Sequence, residues 1–377
     1  LFSTTQLAVP GVDALRAGSG GRSSVSGITA TVFGASGFLG RYVCQSLGNA
    51  GTRLVLPHRC DELDVQHLRL MGDLGQVNLL PHFDIRDDAA VAAAMARSDV
   101  VVNMVGADAE TWNYSFEEVH VGIAGRLARA AADAGVARFL HVSALGAAPD
   151  APSARLRTKA AGEAAVRAAL GERAVVLRPA PMTGTEDRLF NTYANWIKML
   201  PFVPLAAGGA ARRQPVWVRD VAAAAMAALE RRDAAGRAYD LAGPEVMTVR
   251  ELVAFAAATV REAPTVVPLP AAAMRAAAAA PDWLAKRSPF RGPAAFTADA
   301  LAEAELDLVF PAAAAGALGF DDLGLRPHKV TEGLPIEYLR HYRSGGYDLG
   351  STGESGSDAS FAQPPTRRVG PAPTNHF

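Results

Sequence analysis

The chain has little cysteine, no long apolar run and no excess of either charge. Its 377 residues hold two cysteines, Cys44 and Cys60, with no Cys-x-x-Cys spacing and no histidine cluster beside either. That argues against a disulfide framework and a zinc site and suits a reducing compartment. The eight histidines are scattered. His120, His141 and His328 read as polar or packing residues, so no metal is expected. Lys and Arg total 37 against 38 Asp and Glu, a net charge of −1, which gives no reason to expect a nucleic-acid partner. A membrane-spanning helix needs roughly 18 apolar residues in a row. The nearest candidate, 252–285, is broken by Arg261, Glu262, Arg275 and prolines.

What is present suits a large α/β protein. Half the residues are hydrophobic, ample for a sizeable core. Residues 1–27 are rich in Ser, Gly, Ala and Thr and carry Arg16, Arg22 and a single acid, Asp13. They read as an N-terminal arm: the remainder of a cleaved organellar presequence, an unstructured arm downstream of one, or a plain disordered terminus. From Ser344 to Phe377, Gly, Ser, Pro and Thr dominate, a tail expected to be disordered unless a partner orders it.

Between these ends, strands alternate with helices. Strands are expected at 28–33, 53–57, 77–83, 99–105, 138–142 and 173–177. Helices are expected at 38–50, 61–71, 87–97, 116–134 and 153–170. This spacing means βαβ units, right-handed crossovers and a doubly wound parallel sheet of Rossmann type over 28–180. A smaller C-terminal α/β lobe, 181–343, is expected to interleave with that core and lie against the strand ends. Within it, Gln214–Val218 and Ala238–Leu241 read as strands. Thr248 with Glu251 three residues on reads as a capping box opening a helix.

The first strand ends in Gly34-Ala35-Ser36-Gly37-Phe38-Leu39-Gly40. Gly34 permits the tight turn, Gly37 lets backbone approach a pyrophosphate, and Gly40 lets the helix pack closely on the sheet. The helix start offers free N–H groups and a positive dipole end to phosphates. Strand, turn and helix in this order point to a dinucleotide. After the second strand an acid would bind the ribose 2′-hydroxyl of NAD. The residue there is Arg59, and a guanidinium pairs with a phosphate, so NADP(H) is the expected cofactor rather than NAD. Asp61 and Glu62 follow close behind. Asp84 and Ile85 after strand three, Gly106 after strand four and Ser143 after strand five fall where ligands of open α/β sheets bind.

The order of features resembles the extended and atypical short-chain dehydrogenase/reductases. There a Ser, a Tyr and a Lys, the last two in Tyr-x-x-x-Lys spacing on one helix face, form the active centre. Ser143 and Lys159 stand in the matching places, but the tyrosine position is Arg155. A guanidinium stays protonated and cannot exchange a proton at neutral pH. No catalytic residue is therefore assigned. An active NADPH-dependent reductase or epimerase-like enzyme, acting on a small carbonyl or a sugar nucleotide, is the competing reading. A soluble redox sensor is the third.

Several strings are more specific than the glycines. They include Leu56-Pro57-His58-Arg59-Cys60-Asp61, His67-Leu68-Arg69-Leu70-Met71-Gly72-Asp73-Leu74-Gly75-Gln76 and Gln214-Pro215-Val216-Trp217-Val218. From about Val25 to Tyr342 the chain resembles the family of 39 kDa accessory subunits of mitochondrial respiratory complex I. That resemblance implies one tightly held, unreacting NADPH and a peripheral place on the matrix side of the inner membrane. It implies partner subunits near the quinone site and the membrane-arm junction. Carried over by position, Gly34, Ser36, Gly37, Phe38, Leu39, Gly40, Arg59, Asp84, Ile85, Gly106, Ser143 and Lys159 would line the cofactor, with Pro179 and Met182 at its nicotinamide end. Residues 268–291 interleave Met274, Trp283, Leu284 and Phe290 with Arg275, Lys286, Arg287 and Arg291, a mixture that suits a helix packed on its own lobe or a membrane interface; the resemblance implies contact with lipid or membrane-arm subunits.

Overall fold

The computed structural model describes residues 26–287, 297–312, 316–332 and 334–343. The tail 344–377, nearly all of the arm 1–27, and Phe290 and Arg291 lie outside these. In chain order the first half runs β1 (Thr29–Phe33), α1 (Phe38–Asn49), β2 (Arg53–Pro57), β3 (Val77–Leu80), α2 (Asp88–Met95), β4 (Val100–Asn103), α3 (Ala124–Asp133), β5 (Arg138–Val142), α4 (Ala154–Leu170) and β6 (Ala174–Pro179). The second half runs β7 (Met182–Thr183), α5 (Phe190–Met199), β8 (Val203–Ala206), β9 (Arg212–Arg213), β10 (Val216–Trp217), α6 (Val218–Glu230), β11 (Ala238–Leu241), β12 (Met247–Thr248), α7 (Val249–Val260), β13 (Val266–Leu269), α8 (Ala271–Arg287), α9 (Ala298–Ala304) and α10 (Leu334–Leu339).

Seven strands form one parallel sheet in the order β11-β6-β5-β4-β1-β2-β3. The order reverses between β1 and β4, which opens a crevice at their carboxyl ends. Alternate side chains of the buried strands serve opposite faces. Val100 and Val102 face α1 and α6 with Leu39, Val43, Val221 and Ala225. Val101 and Phe139 face α2, α3 and α4 with Val91, Leu127 and Val166. Each such aliphatic side chain, fully buried, stabilises the fold by roughly 1.5–3 kcal/mol before chain entropy is counted.

Several elements depart from the sequence expectation: strand four spans only Val100–Asn103, and of 214–218 only Val216–Trp217 is strand, with Val218 opening α6. The amphipathic stretch 61–71 makes only a 3-10 turn, Gln66–Met71. Its last carbonyl presses on α1, so close that a Cβ at Gly48 would lie 1.7 Å from the Met71 oxygen. The helix expected from 116 begins there but passes through a π segment, Glu118–Ile123, before α3. Strand three stops at Leu80. In the second half, β11 joins the main sheet beside β6 and α6 covers one of its faces. A separate apolar cluster of α5, β8, α7 and α10 holds Phe190, Ile197, Val203, Leu252 and Leu339. The capping box forms: Thr248 Oγ1 accepts from the Glu251 N–H at 3.2 Å, and Glu251 Oε2 accepts from the Thr248 N–H at 2.7 Å.

Candidate nucleotide-binding site

The glycine turn is built by close backbone approach. Gly34 has φ +83°, and a Cβ there would lie 2.9 Å from the Met104 carbonyl carbon at the end of β4. A Cβ at Gly40 would lie 2.3 Å from the Gly34 carbonyl oxygen. Gly37 caps α1 with extended backbone and no side-chain hydrogen bond, and the first turn carries no acid. The N–H groups of Phe38, Leu39 and Gly40 are the donors a helix start leaves unused. Ser36 sits beside Cys60, whose Sγ approaches Ser36 Oγ at 3.8 Å.

Beyond the carboxyl end of β2, Arg59 is exposed and lies over the Tyr114 ring, 5.0 Å from its centroid. Arg86 lies over the same ring at 4.4 Å. It also donates to Glu118 at 2.7 Å and to the Asn113 carbonyl at 2.6 Å. Glu62, which could have answered Arg59, pairs with Arg69 instead. Asp84 caps its own turn by accepting from the Arg86 N–H at 2.9 Å. Ile85 packs with Tyr114 against the core. Tyr114 and Arg86 were not legible as site residues, because nothing in their spacing links them to Arg59.

The other end of the crevice is a buried polar centre. Lys159 Nζ donates to the Val142 carbonyl at 3.2 Å, and a Cβ at Gly106 would lie 3.1 Å from that Nζ. Burial, then the nearby Arg155, pushes the Lys159 ammonium down to about 8. Ser143 is buried, and its Oγ has no hydrogen-bond partner. Two histidines order the loop between. His120 Nε2 accepts from the Ala107 N–H at 3.2 Å, which leaves Nδ1–H for Thr158 Oγ1 at 2.9 Å. His141 Nδ1 meets Asn103 Nδ2 at 3.2 Å, and Asn103 Oδ1 accepts from the Val105 N–H at 3.1 Å. Pro179 lies on the strand beside Ser143, its carbonyl accepting from the Leu145 N–H at 2.9 Å. Met182 lies in β7, paired with Val216.

Arg155 is tied into an ion-pair network. Its Nε and Nη2 grip Glu303 of α9 at 2.9 and 2.6 Å, a bidentate pair. Asp108 stands 3.9 Å away. The residues fit a dinucleotide: a glycine cradle that a Cβ would fill, an unpartnered hydroxyl, a lysine beside it, and an arginine with no carboxylate partner among the described residues.

The model of the NAD dependent epimerase/dehydratase family matches residues 30–242. The chain is 45% identical to the Arabidopsis thaliana "NADH dehydrogenase [ubiquinone] 1 alpha subcomplex subunit 9, mitochondrial" over 93% of this chain and 87% of that one. It is 40% identical to the mouse protein of the same name over 87% and 84%. The chain belongs to this subunit 9 family. Among solved structures, a Thermus thermophilus UDP-glucose 4-epimerase in complex with NAD is 21% identical, with a TM-score of 0.58, over 83% of this chain and 99% of that one. A Thermotoga maritima UDP-glucose 4-epimerase with UDP-glucose is 16% identical with a TM-score of 0.61, again over 83% and 99%. At such identities the likeness is one of fold.

Proposed function

We propose that the chain is a non-catalytic accessory subunit of mitochondrial NADH:ubiquinone oxidoreductase that holds one NADPH as a structural cofactor. The observation that carries this reading is Arg155. A guanidinium locked to Glu303 stands one helical turn before Lys159, where a reductase of this fold needs an acid that can give up its proton. Free NADPH supplies hydride to a substrate; here the chain only binds and orients it. The pyrophosphate would lie on the Gly34–Gly40 turn, with Ser36, Phe38 and Leu39. The 2′-phosphate would face Arg59, with Asp84 and Ile85 by the adenine. Gly106, Ser143 and Lys159 would meet the nicotinamide ribose, with Pro179 and Met182 flanking the ring.

The names of the subunit 9 relatives support a mitochondrial location; a peripheral place on the matrix side of the inner membrane, among subunits at the junction of the two arms, is part of the same proposal. No helix of the described residues is long and apolar enough to cross a membrane. Lipid contact through 268–291 belongs to the same proposal. There Trp283 is exposed under Arg287 at 5.1 Å. Two of its bases are already engaged, Arg275 with Glu305 at 3.1 Å and Lys286 with Glu110 at 3.0 Å.

The test is direct. Denaturing the assembled complex should release NADP(H) traceable to this subunit. Arg59→Asp removes a charge-assisted phosphate contact of about 2–3 kcal/mol, so retention should weaken on the order of a hundredfold. NAD in the released fraction, or an Arg59→Asp chain that assembles normally with no nucleotide, would overturn the reading. Turnover of NADPH with a carbonyl or sugar-nucleotide substrate would favour the enzyme instead.

A further inference from the structure

We propose that residues 297–308 form an internal strap over the substrate side of the Ser143–Lys159 centre, and that Arg155 is the anchor that holds it there. This rests on the nucleotide-bearing reading above and gives a reason why a held nucleotide would meet no substrate.

The strap is fastened along its whole length. At its start, Asp299 takes the place of a solvent cap on α4. It accepts from Ser153 Oγ at 2.8 Å, from the Ala154 N–H at 2.5 Å and from the Arg155 N–H at 3.2 Å. A carboxylate at a helix N-terminus is favoured by the dipole as well as by these donors. One turn on, Glu303 receives the Arg155 fork. The side chains of both partners are only 18% exposed, so solvent screens them little. Arg213 then donates from Nη2 to the Glu303 carbonyl at 2.8 Å and from Nη1 to the Leu306 carbonyl. Arg212 binds Asp307 through Nε at 2.9 Å, and its carbonyl accepts from the Leu308 N–H at 2.9 Å.

The strap's apolar side lies on the loop that follows Ser143. Leu308 packs with Ala144, Ala151 and Leu156 in one small cluster. A Cβ on Gly146 would lie 2.7 Å from Leu308 Cδ2. In an open α/β fold, a second ligand has to approach the residues at the strand ends from this side. Here the chain's own α9 covers the first turn of α4, and Leu308 beyond it covers the residues after β5. Arg155 thus does a job a tyrosine could not do. A phenol offers one hydroxyl, whereas the guanidinium takes both carboxylate oxygens of Glu303 in fixed geometry.

Thermolysin cleaves before Leu, Val and Phe, which occur at 301, 306, 308, 309 and 310. When reclosing is fast, cleavage tracks the population of the opened form. In the full-length chain, Glu303→Gln keeps the shape and removes the charge, and cleavage within 297–312 should rise about tenfold while the rest of the chain stays protected. Glu303→Gln as resistant there as the parent overturns the proposal. If Glu303→Gln is cut throughout, the milder Glu303→Asp is read instead. Expected is intermediate cleavage confined to the strap, and cleavage everywhere or unchanged cleavage overturns the proposal.

A second readout separates the strap from the nucleotide. In the nucleotide-loaded chain, iodide should quench NADPH fluorescence weakly in the parent and several-fold more in Glu303→Gln. Free quenching in the parent overturns the strap while leaving the nucleotide reading intact. No nucleotide released from the parent on denaturation overturns the nucleotide reading, and the proteolysis result stands by itself.

Discussion

Lowering the pH should destabilise this fold through two histidines that hold the cofactor-side loops. Burial, then the Lys159 and Arg155 charges, pushes His120 down to about 2. Burial, then Lys159 and Arg167, pushes His141 down to about 3. Both are neutral in the fold at every pH above those values, whereas the unfolded chain protonates them near 6.5. The unfolded state therefore binds more protons from about pH 6.5 down to about 3, and stability falls as pH falls across that window. Between pH 7 and pH 5 each histidine should withdraw about 2 kcal/mol, so the pair withdraws about 4 kcal/mol. That is a large part of the 5–15 kcal/mol typical of a domain. Burial raises Asp187, Asp240 and Glu230, which act with the opposite sign, because their cost is relieved as they protonate.

Variants isolate the histidine contribution from the carboxylates. Urea unfolding of the full chain at pH 7 and pH 5 gives the wild-type loss. His141→Gln should lose about 2 kcal/mol less over the same interval. It should also loosen the Asn103–Val105 turn, so acid release of nucleotide would move with it. A His141→Gln chain whose stability falls with pH as steeply as the parent's would refute the reasoning, because the protons would then be taken up elsewhere.

Lys159→Met should stabilise the nucleotide-free chain at pH 7 while weakening nucleotide retention. The depressed Lys159 carries its full cost below about 8, and that cost fades as pH rises toward the unfolded value of 10.5, so the variant's gain, at most about 3 kcal/mol, should vanish near pH 10.5 in denaturation curves. Gly40→Ala sets a methyl 2.3 Å from the Gly34 carbonyl and 2.6 Å from that of Ala35. Backbone cannot yield there as a side chain can, so a loss of about 3 kcal/mol or more is expected in thermal melts, and a melting temperature within a degree of the parent would contradict it.

What the sequence revealed follows from the range over which each interaction acts. The strands of the buried sheet, the glycine turn, and the Thr248–Glu251 box are set by residues within a few positions of one another, and periodicity or spacing exposes them. The misread segment 61–71 has the pattern of a helix, but its path is set by contact of Met71 with Gly48 on α1, a tertiary constraint no local pattern carries. The π turn at Glu118–Ile123 has the same kind of cause. Gly162 of α4 approaches it so closely that a Cβ would lie 2.1 Å from the His120 carbonyl oxygen. Arg155 was legible as a missing acid. Its partner was not, since Glu303 lies 148 residues away.

That distance bears on how position 155 can vary. A guanidinium placed beside the Lys159 ammonium is unfavourable by itself, and Arg155 does depress Lys159. It is tolerated because Glu303, Asp108 and Asp299 supply negative charge around it; burial lowers its pKa, these acids raise it, and the net direction is upward. The converse also holds. Removing only the arginine strands a largely buried carboxylate, which typically costs 3–5 kcal/mol in a fully buried pair and somewhat less at this exposure. Residue 155 and the acids of α9 therefore form one unit, and restoring a tyrosine alone would disturb the strap before it restored an acid. On the readings proposed above, the missing proton donor and the covered substrate side are two consequences of a single side chain.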